Sequence, residues 1–382
     1  MSTSILMVVR DGGGTAPVEL TVASKLRNHG HHVRLFGPPE VSRYAADRGF
    51  DLAVLDWPPG LTATGLMAQM VAAAPSWVEQ IGPALPGTDL VVADCAAFGV
   101  LVAARACGVR SVSLMPTVYV ADLPMFASNG PALAAVNRLR TSAGLRAVGS
   151  LTDQLLDADR LLVLTSRAFE DPDVSPPDHV RYVGPQLPTG HDATPGSADG
   201  LTAAVGDDRW PPGDAPLVLV SLSTGEQDQH GTLQRIVDAV SAMPVRVLVT
   251  TGPVEPGELR CPANVVAVRF VPHDQVLPYA DLVLTHAGHG TVMAAVTAGV
   301  PLMCIPMGRD QPAVAARVTR HGLGVSVDPD ADVAALRLAA ERVLGDPAFR
   351  HAAVEISGAL EPPDLVVQEI GALLGDGAQW KY

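Results

Sequence analysis

The residues best able to do chemistry follow a short apolar run, Ala280 to Thr285, of the kind found in buried strands. Directly after it comes a glycine-rich turn, His286-Ala287-Gly288-His289-Gly290-Thr291. Helix-compatible residues continue to Ala298, so a helix is predicted to begin at this turn. Backbone amides at a helix start attract anions, and Gly288 and Gly290 have no Cβ to keep an anionic group away. The pattern therefore indicates a phosphate site, where His286 can add a hydrogen bond or a charge.

Further groups of residues flank this turn in a fixed order: Phe270-Val271-Pro272-His273, then Gly299-Val300-Pro301, then Asp310-Gln311. A lone glycine-rich turn after a strand is a weak indication of function, and these neighbours strengthen it. The order and spacing resemble the donor-binding signature of the GT-B glycosyltransferases that decorate small molecules. That family includes bacterial enzymes of antibiotic biosynthesis and is related to the UDP-glycosyltransferases.

The resemblance implies a role for each group. The turn would hold a diphosphate, the aromatic before the proline would stack on the base, and the Asp-Gln pair would hold sugar hydroxyls. These roles fall on His286, Gly288, Gly290 and Thr291, on Phe270 with Val271, and on Asp310 and Gln311. His289 replaces an aromatic residue or glycine, and it is either a further phosphate contact or a surface residue.

The resemblance also bears on the donor itself. Many relatives that use uridine nucleotides carry a Glu where this chain has Ala294, and that carboxylate binds ribose hydroxyls. Its absence favours a dTDP-sugar over a UDP-sugar. Ser223 and Thr224, after the run from Leu217 to Leu222, would contact the sugar-phosphate oxygen; the alternative is that they cap a helix starting near Thr232. No metal and no separate cofactor are expected, since GT-B enzymes generally need no metal and no Asp-x-Asp stands at a suitable strand end.

The catalytic base is where the chain departs from the family pattern. Thr15 occupies the place of the usual His after the first strand, whereas Asp94 matches its partner Asp. A Thr hydroxyl is too weakly basic to deprotonate an alcohol, so three mechanisms stay open. Asp11, Asp94 or Asp122 acts directly; the acceptor is an acidic phenol or an electron-rich ring, which would also allow C-glycosylation; or the protein is not a catalyst. Glu19, early in the first predicted helix, is explained by the helix dipole.

The elements that must position these residues follow an alternating pattern. Ile5 to Val9 predicts a strand and Pro17 to Asn28 a helix, and similar apolar runs and helical stretches then alternate, which is typical of βαβ units. The resulting expectation is an α/β protein with two doubly wound parallel-sheet, Rossmann-like domains facing a central cleft, which agrees with the GT-B architecture that the resemblance implies.

The domain boundaries come from shifts in composition. Residues 1–188 would bind the acceptor, 189–216 form a linker or surface loop rich in Gly, Pro, Asp and Ala, and 217–360 bind the nucleotide sugar. Residues 361–382 would form a last helix and tail that cross back to the first domain. Apolar residues in 57–80 and 117–129 would line a pocket for a hydrophobic acceptor, although any core or loop contains such residues.

Composition excludes several classes of protein. The 382 residues carry a net charge of -14, which argues against a nucleic-acid partner. The four cysteines have neither zinc-ligand nor disulfide-framework spacing. No signal-like segment or membrane-length apolar run is present, so a cytoplasmic enzyme without a membrane partner is expected. The sequence leaves open whether the chain forms a homodimer.

The function predicted from all this is an inverting, metal-independent glycosyltransferase of secondary-metabolite biosynthesis. It would move a sugar, expected to be a deoxysugar, from a dTDP donor to an aromatic or polyketide acceptor, through oxygen or carbon. The alternatives are a catalytically silent, glycosyltransferase-like auxiliary protein and a nucleotide-sugar epimerase or hydrolase.

Overall fold

The structure is a computed structural model that describes residues 2–10, 14–56, 66–119, 130–188, 211, 213–223, 225 and 228–375, with backbone alone at 66–69. The described chain divides into two compact units. Unit 1 comprises Met1–Ser166, Ser175–Gln186 and Glu361–Tyr382, and unit 2 comprises Arg167–Val174 and Leu187–Leu360. Unit 2 thus includes a short segment, Arg167–Val174, that a division at residue 188 does not anticipate.

Each unit is built on one parallel sheet with the strand order of a doubly wound fold. The strands are β1 (Ser4–Val8), β2 (His32–Gly37), β3 (Leu52–Val54), β4 (Leu90–Asp94), β5 (Arg110–Met115), β6 (Arg160–Val163), β7 (Val180–Tyr182), β8 (Leu217–Ser221), β9 (Arg246–Thr250), β10 (Val265–Val268), β11 (Leu282–Thr285), β12 (Leu302–Cys304) and β13 (Gly324–Ser326). Unit 1 has the order β3-β2-β1-β4-β5-β6-β7 and unit 2 the order β10-β9-β8-β11-β12-β13. The α/β fold class predicted from the sequence is confirmed.

Helices connect most of the strands, as is usual for parallel pairing. They are α1 (Thr15–Asn28), α2 (Ser42–Ala46), α3 (Leu66–Ile81), α4 (Phe98–Ala106), α5 (Pro131–Ser142), α6 (Leu151–Leu155), α7 (His230–Val240), α8 (His273–Val276), α9 (His289–Thr297), α10 (Gln311–Arg320), α11 (Val333–Gly345), α12 (Pro347–Ser357) and α13 (Leu365–Leu374). In unit 1, α13 packs on α1 and adds Val366, Val367 and Ile370 to the core beneath the sheet. Within the described residues, no helix has the length and hydropathy needed to cross a membrane.

The central strands of each sheet are almost fully buried because helices cover both faces of a parallel sheet, whereas the edge strands are partly exposed. All five residues of β4 and of β8 are buried, and these strands read as unbroken apolar runs up to their last residue. That pattern is what made the long central strands predictable. The sequence analysis missed β3, β7 and β13, since three-residue strands at a sheet edge leave no comparable pattern.

Candidate functional site

The predicted donor residues follow the carboxyl ends of neighbouring strands in unit 2. β8 lies between β9 and β11, so the strand order reverses here, and Ser221 at the end of β8 is directly opposite Thr285 at the end of β11. Such a reversal opens a crevice between the two following loops, which is where doubly wound sheets bind ligands. Ser223 and His286, which come just after these strands, therefore lie at the same edge of the sheet.

The turn after β11 leads directly into the start of a helix. Gly288 is the N-cap of α9, no side chain caps this end, and the Gly288 carbonyl accepts the first helical bond from Val292 N at 3.0 Å. The N–H groups of the first turn, which include those of Gly290 and Thr291, have no partner within the helix. A Cβ added to Gly290 would meet no atom within 4 Å, so the space above this residue is open. The geometry suits an anion at the start of α9.

Gly288 is required by the position of His286. A Cβ on Gly288 would lie 2.6 Å from both Cε1 and Nε2 of His286, so the imidazole rests directly on the glycine. Ala287 between them has φ 64°, a left-handed conformation that a residue with a Cβ seldom adopts. Strain of this kind concentrates at functional sites because the surroundings must hold it in place.

His286 is buried and neutral in the free protein. Burial lowers its pKa to about 4; the carboxylate of Asp310 opposes this shift, Arg309 adds to it, and a hydrogen bond to the Ser221 backbone opposes it. One ring nitrogen thus donates to the Ser221 carbonyl, which fixes the tautomer. Nδ1 of the same ring lies 3.5 Å from Thr285 Oγ1.

A second histidine, His273, reaches the same strand end. Its Nε2 lies 3.1 Å from Ser221 Oγ, and burial lowers its pKa to about 4. Ser221 therefore contacts His273 with its side chain and His286 with its backbone. Sequence reasoning placed His273 in the motif but assigned it no role, because a helical N1 position alone gives no sign of a contact with β8.

The structure decides between the two interpretations of His289. It is the first residue of α9 and is only 7% exposed, so the interpretation as a surface residue is wrong. Its Nε2 is buried and has no hydrogen-bond partner. Burial lowers its pKa to about 4, with Asp310 opposing the shift and Arg317 adding to it. Whether it contacts phosphate stays a prediction.

Phe270 and Val271 follow β10 and differ sharply in exposure. The Phe270 side chain is 49% exposed, whereas Val271 is buried at 1%. An exposed ring of this size beside the strand ends is a suitable platform for a flat ligand. Val271 belongs to the packing below Phe270, and its contact with the donor stays a prediction.

Asp310 and Gln311 lie where β12 leads into α10. Asp310 is the N-cap residue of α10 and makes no side-chain cap bond, and its charge reaches both His286 and His289. Gln311 is buried, with its Oε1 accepting from Met307 N at 2.7 Å, so part of its amide holds the loop. The preceding residues Gly308 and Arg309 have φ values of 144° and 58°. This strained loop sets the position of Asp310.

Ser223 is held in a tight loop after β8. Its Oγ accepts from Gly225 N at 3.0 Å, and both ends of the Gln229 amide bond its backbone, at 3.0 Å and 2.9 Å. The helix that follows begins at His230, and neither Ser223 nor any other described side chain caps it. Capping is therefore not the role of Ser223. Thr224 lies outside the described residues.

In unit 1, Asp94 belongs to a buried cluster at the corresponding reversal of strand order, between β1 and β4. Arg10 pairs with Asp94 through Nε and NH2, each at 3.2 Å, and Ala96 N donates to Asp94 at 2.7 Å. Asp94 is 0% exposed, and both of its oxygens are occupied. This arrangement favours a positioning role, and direct proton removal by Asp94 remains a prediction without support from these contacts.

Glu19 is the third member of this cluster and was assigned only a helix-dipole role from the sequence. Its Oε2 accepts from Arg10 N at 3.0 Å, and it is 0% exposed. Burial and then the charge of Asp94 raise the pKa of Glu19 well above its ordinary value, so the neutral acid donates a hydrogen bond to Asp94. Although burial opposes it, the Arg10 charge and this hydrogen bond hold the pKa of Asp94 below its ordinary value.

Thr15 closes the loop after β1. Its Oγ1 donates to the Arg10 carbonyl at 2.8 Å, which is a structural contact and gives no sign of a base. Asp11 and Asp122, the other candidates, lie outside the described residues, as do 57–65 and 120–129 of the expected acceptor pocket.

Comparisons with known proteins agree with this geometry. Residues 234–373 match the family described as Erythromycin biosynthesis protein CIII-like, C-terminal domain. The chain is similar to 4'-demethylrebeccamycin synthase from Lentzea aerocolonigenes, with 32% identity over 233 residues that cover 59% of this chain and 52% of that protein. It therefore spans about half the length of this curated relative.

Solved structures extend the likeness over nearly the whole chain. The glycotransferase of kitacinnamycin has a TM-score of 0.80 at 23% identity, covering 97% of this chain and 99% of that one. The glycosyltransferase VinC, in complex with dTDP, has a TM-score of 0.76 at 20% identity, covering 98% and 100%. The fold is thus that of the GT-B glycosyltransferases. Within that fold, residues 234–373 are similar to the C-terminal domain of a family named for erythromycin biosynthesis.

Proposed function

We propose that the protein is a glycosyltransferase that transfers a sugar from a nucleotide donor to a hydrophobic small molecule in antibiotic-type biosynthesis. The observation that carries the proposal is the start of α9. It lies at the reversal of strand order, has no side-chain cap, and has open space above Gly290 beside the His286 imidazole. A diphosphate suits this helix start beside an imidazole that can take up a proton to bind it.

The remaining donor groups are arranged around that point. The exposed Phe270 ring would stack on the base, and Asp310, whose charge reaches His286, would accept hydrogen bonds from sugar hydroxyls together with Gln311. The nucleotide sugar is a substrate, and the proposal calls for no separate cofactor and no metal.

The nucleotide proposed is dTDP. Ala294 is on α9 and is partly exposed, so a side chain at this position is not enclosed by the core. A Glu here could reach a ribose 2′-hydroxyl, and Ala leaves nothing to select it. A structural relative, VinC, was solved in complex with dTDP, which supports the same choice.

The proposed chemistry is a direct displacement with inversion at the anomeric carbon. The acceptor nucleophile forms a bond to that carbon while the bond to the diphosphate oxygen breaks, and the electron pair leaves with the diphosphate. The start of α9 and the imidazole of His286 stabilise the charge that develops on the leaving oxygens. The acceptor proton passes to a base or to water.

The acceptor proposed is aromatic or polyketide-like. Because Thr15 is engaged with the Arg10 carbonyl and Asp94 is buried, an acceptor that is itself acidic or electron-rich suits the described residues. Such an acceptor could be attacked through oxygen or through a ring carbon.

The function is tested by incubating the protein with dTDP-glucose and a set of phenols, flavonoids and polyketide aglycones. Mass spectrometry should find a product heavier by one hexose residue, and the proton coupling at the anomeric carbon should show β linkage from the α-linked donor. Release of free sugar without any conjugate would favour a hydrolase, and retained α linkage would contradict direct displacement.

A second candidate is a catalytically silent auxiliary protein. Thr15 in place of a base, with its hydroxyl used structurally, specifically favours it. Such a protein would bind dTDP yet give no conjugate with any acceptor, while raising the activity of a partner glycosyltransferase.

A further inference from the structure

Residues 167–174 hold a position that their place in the chain does not predict. They lie between β6 and β7, two neighbouring strands of unit 1, yet they belong to unit 2. We call this segment, Arg-Ala-Phe-Glu-Asp-Pro-Asp-Val, the brace.

The brace has a fixed shape of its own. Arg167 donates to the carbonyls of Asp171, Pro172 and Val174, at 3.0, 3.4 and 3.0 Å. Val174 N also donates to the Asp171 carbonyl at 3.0 Å, and Asp171 N donates to Glu170 Oε1 at 2.9 Å. One arginine side chain therefore holds the segment as a compact, rigid loop.

The brace grips the last turns of α10. Glu170 is 1% exposed and pairs through Oε1 with the guanidinium of Arg317. His321 Nε2 donates to the Glu170 carbonyl at 3.1 Å, and its ring stacks on the buried Phe169 with centroids 6.1 Å apart. Removing one partner of a buried ion pair leaves an uncompensated charge and strongly destabilises the folded protein. The pair of Glu170 and Arg317 therefore holds the end of α10 in one position.

A weaker contact lies beside it. Arg320 donates to Asp171 at 3.1 Å and to Asp173 at 2.8 Å, with the Asp173 side chain 81% exposed. Exposed pairs of this kind contribute little, because solvent screens them. Glu170 is therefore the residue on which the contact between the brace and α10 depends.

The other end of α10 carries the sugar-facing residues of the proposed donor site. Asp310 and Gln311 begin the helix after Arg309, whose φ of 58° is strained for a residue with a Cβ, and a helix of 10 residues is a rod about 15 Å long. A strained loop persists only when its surroundings over-determine it. The brace supplies a fixed point at the far end of that rod.

We propose that Glu170 is a positioning residue for the sugar half of the donor site. Through Arg317 it holds α10, and through α10 it holds Asp310 and Gln311 where they meet the sugar. The inference rests on the proposed function, and it separates the sugar contacts from the diphosphate contacts at the start of α9.

The test compares two ligands by calorimetry on the full chain: dTDP, which lacks a sugar, and dTDP-glucose. Glu170→Gln should weaken binding of dTDP-glucose about tenfold, whereas binding of dTDP should change less than about twofold. Arg317→Lys keeps the charge but loses the fork of the guanidinium, and it should show a smaller loss of the same kind. Asp173→Asn is the matched control in the brace and should leave both affinities unchanged.

Asp310→Asn serves as the reference: it removes a proposed sugar contact directly, together with the charge that favours protonation of His286, so it should weaken dTDP-glucose more than dTDP. Equal losses for both ligands in Glu170→Gln, or none in a folded variant, would overturn the inference. If Glu170→Gln does not fold, Arg317→Lys takes its place. Equal losses for both ligands in that variant, or no loss, would then overturn the inference. A wild-type protein that binds neither ligand would instead remove the proposed function.

Discussion

His286 is neutral in the free protein, and this state determines how it can hold an anion. One ring nitrogen already donates to the Ser221 carbonyl, so the second is an acceptor while the ring is neutral. A phosphate oxygen is also an acceptor. His286 can therefore bind it only after taking up a proton, and a bound diphosphate must raise the pKa of the ring above about 4.

Binding of dTDP should consequently take up a proton and strengthen as the pH falls from 8 towards 6. Calorimetry in two buffers of different ionisation enthalpy at one pH measures the uptake. The ligand phosphate titrates near pH 6 as well, so the histidine contribution is the difference between wild type and His286→Gln. His351→Gln, on the exposed surface of α12, is the control. Equal uptake in wild type and His286→Gln would refute this role for the imidazole.

Ala294 is expected to set the choice between deoxyribose and ribose. Ala294→Glu should improve binding of UDP about tenfold relative to dTDP, because the new carboxylate can accept from the ribose 2′-hydroxyl. Competition between the two nucleotides, measured in one titration, gives the ratio directly. An unchanged ratio would mean that Ala294 does not face the ribose.

A substitution at Gly290 tests whether the start of α9 binds the diphosphate. A Cβ there meets nothing within 4 Å, so Gly290→Ala should fold normally and gain about 0.4–1 kcal/mol from the reduced freedom of the unfolded chain. The same methyl group would occupy the space proposed for the diphosphate, and dTDP affinity should fall about tenfold or more. Denaturation and calorimetry on one preparation separate the two effects.

Gly345→Ala at the end of α11 is the matched control, since a Cβ there also meets nothing within 4 Å. It should share the gain in stability and leave dTDP binding unchanged. Unaltered dTDP affinity in Gly290→Ala would show that the phosphates lie elsewhere.

The cluster that joins β1, α1 and β4 makes a prediction about stability. Glu19→Gln should cost less than about 1 kcal/mol, because the amide can accept from Arg10 N and donate to Asp94 as the neutral acid does. Asp94→Ala should cost about 3–5 kcal/mol, since it leaves Arg10 buried without its partner. Urea denaturation measures both, and similar losses for the two variants would contradict the assignment of a neutral Glu19.

Elements with strong local patterns could be predicted from the sequence, and contacts between distant elements could not. Unbroken apolar runs predicted β8 and β11, and the glycine-rich turn predicted the start of α9 within two residues. The contact of His273 with Ser221 and the cluster around Glu19 depend on which strands are neighbours. An acidic residue in a helix, such as Glu19, has the same local sequence pattern whether its side chain faces water or a buried arginine.

At the scale of the whole molecule, the two units repeat one principle. In each sheet the polar residues of interest follow the two strands at which the order reverses, with Arg10 and Asp94 in unit 1 and Ser223 and His286 in unit 2. The apolar strands end there and helices begin, so backbone groups and buried side chains can face a ligand without disturbing the core. In both units of this GT-B fold, the order of the sheet therefore determines where the polar residues at strand ends are placed.

The most direct test of the account is the thermal stability of the purified protein with dTDP, UDP, GDP and ADP. A ligand at a hundred times its dissociation constant stabilises the folded state by about 2.7 kcal/mol, which a melting experiment detects readily. The account predicts that dTDP gives the largest increase in melting temperature and that Gly290→Ala makes this increase smaller. No increase with any of the four nucleotides would contradict the donor site itself.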